Sequence, residues 1–466
     1  MSRCIAYALS MALVGLLLVG RAACEEAAPI EIKLHPAAAP QPALRYRLLP
    51  DFSKRINGNA AVYYGKVKSE KTPFFANKEI RDNIKRWTEA PLDQIRRERA
   101  EISFNRYYLE QAARCAMCDW QLPIGREPYA YILLPEAQEM RHFSRILAVQ
   151  ARVEMAMGDY ETAIDICQLK FAMGRHVADA PTFVNALIGV AICEQTIADL
   201  RELVQVPDAP NLYWALSSLP QPLIDFRPGL EVERRFVNLT LQDRVDVDAA
   251  SLSTEQWRQR LADVVTEIQK FAEDADRPMV AVDLDEALPR LTPIARQALL
   301  DSGRSKESVD AMADAQAVLA DWLDRYYRHA DDCYCAWPQE YQAAMASFDA
   351  IDARAQEAWQ QRRDPLPLDR LTPGFRATRR ALARLERSLA VMRVLEALRI
   401  HAAAHDGKLP KKLADVIEVP LPTDPVSGQA FEYELRDGVA SLRGPSLPDA
   451  PLNYEITIAT AAESDR

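Results

Sequence analysis

The chain has 466 residues, 49% of them hydrophobic, and a formal net charge of −10. This length is enough for two or three domains, and this apolar content is enough for a substantial buried core. A net negative chain repels phosphate backbones, so the composition argues against nucleic acid as the main partner.

The first 24 residues, MSRCIAYALSMALVGLLLVGRAAC, have the layout of a secretory signal peptide. Arg3 gives a short positive region, residues 4–20 form an apolar stretch, and the small residues Ala22 and Ala23 follow. This layout predicts an exported protein of the periplasm or cell envelope. The apolar stretch is also close to the minimum of about 17 residues for a membrane span. An uncleaved signal sequence that holds the protein at the membrane therefore stays open as an alternative.

Residues 25–50 are rich in Ala and Pro and predict an extended tether. From 51 to 245 the spacing of apolar residues predicts an N-terminal helical array. Gly158 should end one helix and Asp159 should cap the next. The segment GDYETAI (158–164) resembles one tetratricopeptide-type helix pair, in which a glycine turn and small residues let two helices approach closely.

A second helical region is predicted over residues 246–406, with its later helices at 306–330, 338–361 and 376–405. The composition then changes, and residues 407–460 predict a small α+β module. Residues 431–435 alternate in polarity, and Asp437-Gly438 is a strong hairpin signal. The predicted fold class is therefore mainly α, an irregular array of antiparallel, tetratricopeptide-like helix pairs with a small C-terminal antiparallel β module.

Six segments of the chain carry a resemblance to a known family. They are LRYRLLP (44–50), CDWQLP (118–123), GDYETAI (158–164), GRHVADAPT (174–182), NLYWALSSLPQPLID (211–225) and VPLPTDPVSGQAFEYELRDGVASLRGP (419–445). In this order they resemble a family of uncharacterised exported proteins from planctomycete bacteria, over most of the chain beyond the signal peptide. The resemblance implies export and a helical fold, and it implies no particular activity.

The last 60 residues resemble, more loosely, the globular part of type II secretion pseudopilins. There a long helix leads through G-x-L-P and DP-x-x-G into a small sheet. The matching residues are GKLP (407–410) and DPVSG (424–428), followed by Tyr433. The N-terminal pilin signature, a Glu early in an uninterrupted apolar helix, is absent from the sequence. The resemblance therefore does not imply pilus assembly.

Two close cysteine pairs are candidates for a structural role. Cys115 and Cys118 follow a predicted helix rather than opening one, which argues against a thioredoxin-type redox pair. Cys333 and Cys335 lie far along the chain and complete a set of four thiols. Disulfides between the pairs are the favoured prediction for an exported protein, and a four-thiolate zinc site is the alternative. Either arrangement would clamp the first helices to the later ones.

No other metal site is predicted, and no catalytic residue is assigned. His401 and His405 share a helix face, but Ala402 stands where a zinc metalloprotease carries Glu. His176, in GRHVADAPT, is the one histidine within a family-like segment and is the single candidate binding residue. No cofactor is predicted other than the alternative zinc ion.

Two functional hypotheses follow. The first is an exported, non-catalytic helical scaffold with a protein or peptide partner. This hypothesis is based on the tetratricopeptide-like helix pair and on the absence of P-loop, GxGxxG and GxSxG motifs from the sequence. The alternative is an enzyme of unknown class, whose site would assemble in a groove near His176 from residues such as Glu194.

Overall fold

The computed structural model describes residues 28–76, 78–98, 105–248, 252–274, 282–362, 368, 374–445, 447 and 452–459. The predicted signal peptide, residues 1–24, lies outside this range, so its assignment stays a prediction.

The described chain is mainly helical, as predicted. Its helices are α1 (Ala60–Ala76), α2 (Lys78–Glu89), α3 (Leu92–Glu98), α4 (Tyr107–Ala113), α5 (Pro135–Met157), α6 (Tyr160–Ala178), α7 (Phe183–Leu203), α8 (Tyr213–Ser217), α9 (Arg227–Glu233), α10 (Phe236–Leu241), α11 (Thr254–Asp274), α12 (Leu284–Asp301), α13 (Lys306–Ala311), α14 (Asp314–Ala336), α15 (Tyr341–Arg362) and α16 (Phe375–Ala404). One continuous apolar cluster runs through both predicted helical regions and into the C-terminal module.

Helices α5, α6 and α7 form the centre of this core. Gly158 ends α5 with a left-handed φ of 82°, and the Asp159 side chain accepts a 3.0 Å hydrogen bond from the Thr162 amide at the start of α6. Both features were predicted. Where α6 and α7 cross, a Cβ on Gly189 would lie well under 3.0 Å from the Gly174 carbonyl oxygen. The two backbones are therefore in direct contact, which only glycine allows here.

Helix α7 is the one described helix that is long and apolar enough to cross a membrane, judged by length and composition alone. Its most apolar window is 78% buried within the protein. Helix α16 packs against α7 and α8. The apolar character of α7 is thus accounted for by its position between other helices of the core.

A buried arginine joins α16 to the N-terminal segment. The Arg399 guanidinium donates to the backbone carbonyls of His35 at 2.8 Å and Ala209 at 2.6 Å, and to the Glu396 carboxylate at 2.9 Å. Arg399 is fully buried. A buried charge costs stability unless it is paired and hydrogen-bonded. These bonds supply both conditions and tie three distant parts of the chain together.

The C-terminal module contains a four-stranded sheet in the order β1 (Ile30–Leu34), β6 (Asn453–Ile458), β5 (Val439–Arg443) and β4 (Glu432–Arg436). The three later strands are antiparallel, as predicted. Asp437 and Gly438 both have positive φ, 50° and 84°, as the two-residue hairpin turn requires. The sheet as a whole is mixed, because β1 pairs with β6 in parallel.

The tether prediction for residues 25–50 is wrong for the part that the structure describes. The stretch IEIKL forms β1, and Ile32, Leu34 and Leu48 are almost completely buried. The reason is local: alternation of apolar and charged residues in IEIKL is a strand pattern. The Ala- and Pro-rich composition around it concealed that pattern.

The first cysteine pair also lies in a different element from the one predicted. Helix α4 ends at Ala113, and β3 (Cys115–Met117) pairs in parallel with β2 (Ile56–Asn59). Cys115 is thus in a short strand rather than at the end of a helix. This strand places Cys115 opposite Ile56, beside the start of α1.

Candidate functional site

His176 lies at the C-terminal end of α6 and is buried, with 7% of its surface exposed. Its Nδ1 is 3.0 Å from the Tyr64 hydroxyl, and its backbone carbonyl accepts a 2.7 Å hydrogen bond from the Trp120 indole. Tyr64 and Trp120 stack with their ring centroids 5.6 Å apart. Burial is the main reason that the pKa of His176 is lowered to about 4. The imidazole is therefore neutral at pH 7 and positions Tyr64 rather than meeting solvent.

The structure brings the first cysteine pair to the same place, which sequence reasoning missed. The His176 ring also bonds to the backbone of Cys115. Cys115 and Cys118 are buried, and burial raises the pKa of both thiols. A thiol with a raised pKa carries little thiolate at pH 7 and is a poor nucleophile. This geometry does not support redox or nucleophilic chemistry at Cys115 and Cys118.

The predicted clamp between the two cysteine pairs is absent. All six cysteines that the structure describes are free. Cys333 is buried, and burial raises the pKa of its thiol to about 12. No thiol belongs to a cluster of three or more metal-binding side chains among the described residues. The structure thus contains neither a disulfide between the two pairs nor a cluster of their four thiols.

A cleft of about 490 Å³ opens beside this cluster, lined by Cys118, Trp120, Asp179 and Asp225 among others. We call it the Asp179 cleft. The walls of the cleft desolvate the Asp179 carboxylate and raise its pKa to about 6. The Arg227 guanidinium, hydrogen-bonded to Asp225, lowers the pKa of that carboxylate. Two carboxylates in one cleft thus have pKa values that are shifted in opposite directions.

Glu194 does not join this site. It accepts a 3.2 Å hydrogen bond from the Ser388 hydroxyl of α16, and burial raises its pKa. The partners of His176 are Tyr64, Trp120 and Cys115 instead. The alternative site that the sequence suggested, with His176 and Glu194 together, is therefore not the one that the structure assembles.

A second depression, of about 750 Å³, lies between α1, α2 and α5. Ile84 of α2 and Phe143 and Ile146 of α5 form its apolar floor. The α2 side chain is half-buried and the two α5 side chains are almost completely buried. The apolar surface that a ligand could cover is therefore mainly that of Ile84 and of the aliphatic stems of the Lys and Arg side chains around it.

The rim of this depression is predominantly cationic. Four cationic side chains stand against two carboxylates; the cations are Lys68, Arg81, Lys85 and Arg145, and the carboxylates are Glu89 and Glu139. One rim pair, Lys68 and Glu139, is joined at 2.9 Å. We call the apolar floor and this rim together the cationic groove. Its positive excess contrasts with the net charge of −10 for the whole chain.

Comparison of the chain with protein-family models, with curated proteins and with solved structures found no match.

Proposed function

We propose that this protein is an exported, non-catalytic helical scaffold that binds an acidic segment of a partner protein in the cationic groove. The observation that carries the proposal is the groove itself, an apolar floor under a positive rim on an acidic protein. Such a surface is complementary to a segment that alternates carboxylates with Leu, Ile or Phe. The apolar side chains would supply affinity, and the charges would supply orientation and association rate.

The helical framework supports this role. The groove is formed by α1, α2 and α5, and α5 belongs to the central core. Phe143 and Ile146 are each only 1% exposed and so have fixed positions. A floor that is already ordered loses little entropy when a ligand binds.

The test uses the full chain and three short fluorescent peptides in an anisotropy titration. One peptide is rich in Glu and Leu, the second replaces Glu with Lys, and the third replaces Leu with Ser. We expect the Glu and Leu peptide to bind at least about tenfold more tightly than either control, a difference of about 1.4 kcal/mol. Equal binding of all three peptides would contradict the proposal.

A matched pair of variants locates the binding. The double variant Lys85→Glu/Arg145→Glu reverses two exposed charges of the rim. It should lower the affinity for the Glu and Leu peptide at least about tenfold. Arg126→Glu reverses an exposed charge outside the groove and should leave binding unchanged. If the double variant binds as tightly as the wild type, the groove is not the site.

A second candidate function is acid–base catalysis in the Asp179 cleft. The observation that favours it is the pair of carboxylates with opposite pKa shifts, because such pairs divide the acid and base roles in many hydrolases. Hydrolysis of p-nitrophenyl glycosides, esters and phosphates would be measured for the wild type, Asp179→Asn and the surface control Asp310→Asn. Turnover lost only in Asp179→Asn would favour an enzyme over a scaffold.

A further inference from the structure

Two histidines and a glutamate converge where α16 ends. His401 and His405 lie four residues apart, and their rings stack with centroids 4.0 Å apart and planes 18° apart. Glu418 lies on the segment that leads from α16 to the sheet. Its Oε1 is 3.1 Å from His401 Nδ1 and 3.4 Å from His405 Nδ1. The helix thus presents two imidazoles on one face, and the following segment adds one carboxylate.

The spacing of these groups suits a metal ion. One ligand atom from each side chain lies within 4.8 Å of the other two, and no other group of three or more such side chains does so in the described part of the chain. Around a tetrahedral ion with bonds of about 2.0–2.2 Å, neighbouring ligand atoms lie about 3.3 Å apart. His405 is half-exposed, so its ring has room for the small shift that would bring it to an ion while it keeps this place beside the helix end.

The tautomer of His405 is already the one that a metal needs. Its Nδ1 is 2.9 Å from the His401 carbonyl oxygen. A carbonyl can only accept, so Nδ1 carries the proton, and Nε2 would be the atom of His405 that binds the ion. An imidazole that binds a metal typically donates its other ring N–H to a carbonyl or carboxylate in this way.

The ligand types indicate which ions fit. Two imidazoles with one carboxylate suit zinc and its neighbours in the transition series, whereas magnesium and calcium prefer oxygen ligands throughout. His401 is buried, Glu418 is partly buried and His405 reaches solvent. Three protein ligands leave a fourth position open on the solvent side.

We propose that His401, His405 and Glu418 form a binding site for a divalent transition-metal ion of the zinc type. The ion would fasten the end of α16 to the segment that leads into the C-terminal sheet. This site is separate from the cationic groove, and neither proposal depends on the other.

The test measures Zn²⁺ affinity of the full chain, produced without a histidine tag and stripped with EDTA, by competition with a chromophoric chelator. We expect the wild type to bind one Zn²⁺ per chain. In His405→Ala and in Glu418→Gln the Zn²⁺ affinity should fall at least about tenfold, because loss of even an outer-shell partner of a metal ligand lowers metal affinity about 10–100-fold. His329→Ala, which removes a half-buried histidine outside the cluster, should bind as the wild type does.

Two results would overturn the proposal. One is a wild-type protein that takes up no stoichiometric Zn²⁺. The other is Glu418→Gln with unchanged affinity, since the histidine pair alone would then account for binding. Far-UV circular dichroism of each variant checks that it is folded. If His405→Ala does not fold, Glu418→Gln alone decides, because it keeps the size and shape of a partly buried side chain.

Discussion

The crossing of α6 and α7 makes a direct prediction about Gly189. In Gly189→Ala the new methyl group would lie well under 3.0 Å from the Gly174 carbonyl oxygen and 2.9 Å from the Ala178 Cβ. Neither atom belongs to a flexible side chain, so the two helices must separate. Overpacking of a core typically costs about 1–3 kcal/mol, and here the obstacle is backbone, which favours the upper end. Alanine gains about 1 kcal/mol over glycine within a helix. The net expectation is a loss of about 2 kcal/mol.

Gly65→Ala is the matched control. Gly65 also lies inside a helix, α1, but a methyl group there would meet nothing within 4 Å. The same substitution should therefore raise stability by up to about 1 kcal/mol, through helix propensity alone. Urea unfolding followed by tryptophan fluorescence measures both variants. A Gly189→Ala variant as stable as the wild type would refute the close-contact reasoning.

Three further predictions concern the protonation of Glu233, the buried pair of Lys170 with Asp199, and the reactivity of the cysteines. Burial raises the pKa of Glu233 to about 7, well above the usual value of 4.5, so the folded state holds a proton that the unfolded state has released. Stability should then fall by up to about 3 kcal/mol as the pH rises from 4.5 through 7, and urea midpoints should show a smaller fall in Glu233→Gln. Lys170 and Asp199 form a buried ion pair in the core. Lys170→Met should lower the free energy of unfolding by about 3–5 kcal/mol, because it leaves the Asp199 carboxylate buried without its partner. The double variant Lys170→Met/Asp199→Leu removes both charges and should recover most of this loss in the same assay. Of the six described cysteines, only Cys335 is exposed, so iodoacetamide should modify Cys335 in the native protein and all six in urea without reductant. Peptide mapping that shows a thiol still blocked in urea would contradict the free state of the cysteines.

Local signals in the sequence predicted local structure well. The break at Gly158, the cap at Asp159 and the Asp437-Gly438 turn depend on residues that act within a few positions of one another. The predicted helix at 306–330 is instead two helices, α13 and α14, because the Gln316 side chain caps the second helix by accepting from the Ala313 amide. A glutamine gives no distinctive signal for such a cap.

Partners that are distant in sequence could not be predicted. His176 was singled out, but Tyr64, which bonds to it, lies 112 positions away. Arg387 and Asp424 form a buried pair at 2.9 Å across 37 positions, and the DPVSG motif that begins at Asp424 does not indicate Arg387 as its partner. The cationic groove combines side chains from α1, α2 and α5, and only the packing of these helices brings its charges together. No single segment carries this information.

The parallel pairing of β1 with β6 has a consequence for the order in which the chain can fold. Ile30 lies opposite Tyr454, so β1 can pair with β6 only after nearly the whole polypeptide has been synthesised. Contacts of such high contact order form slowly, because the loop-closure entropy is lost before the contact is gained. Until then β1 presents an unpaired edge with Ile32 and Leu34 uncovered, a hazard for association with other chains. Ribosome-bound fragments that lack residues 452–459 should therefore stay sensitive to protease around residues 30–34, and protection should appear only when the last strand is added.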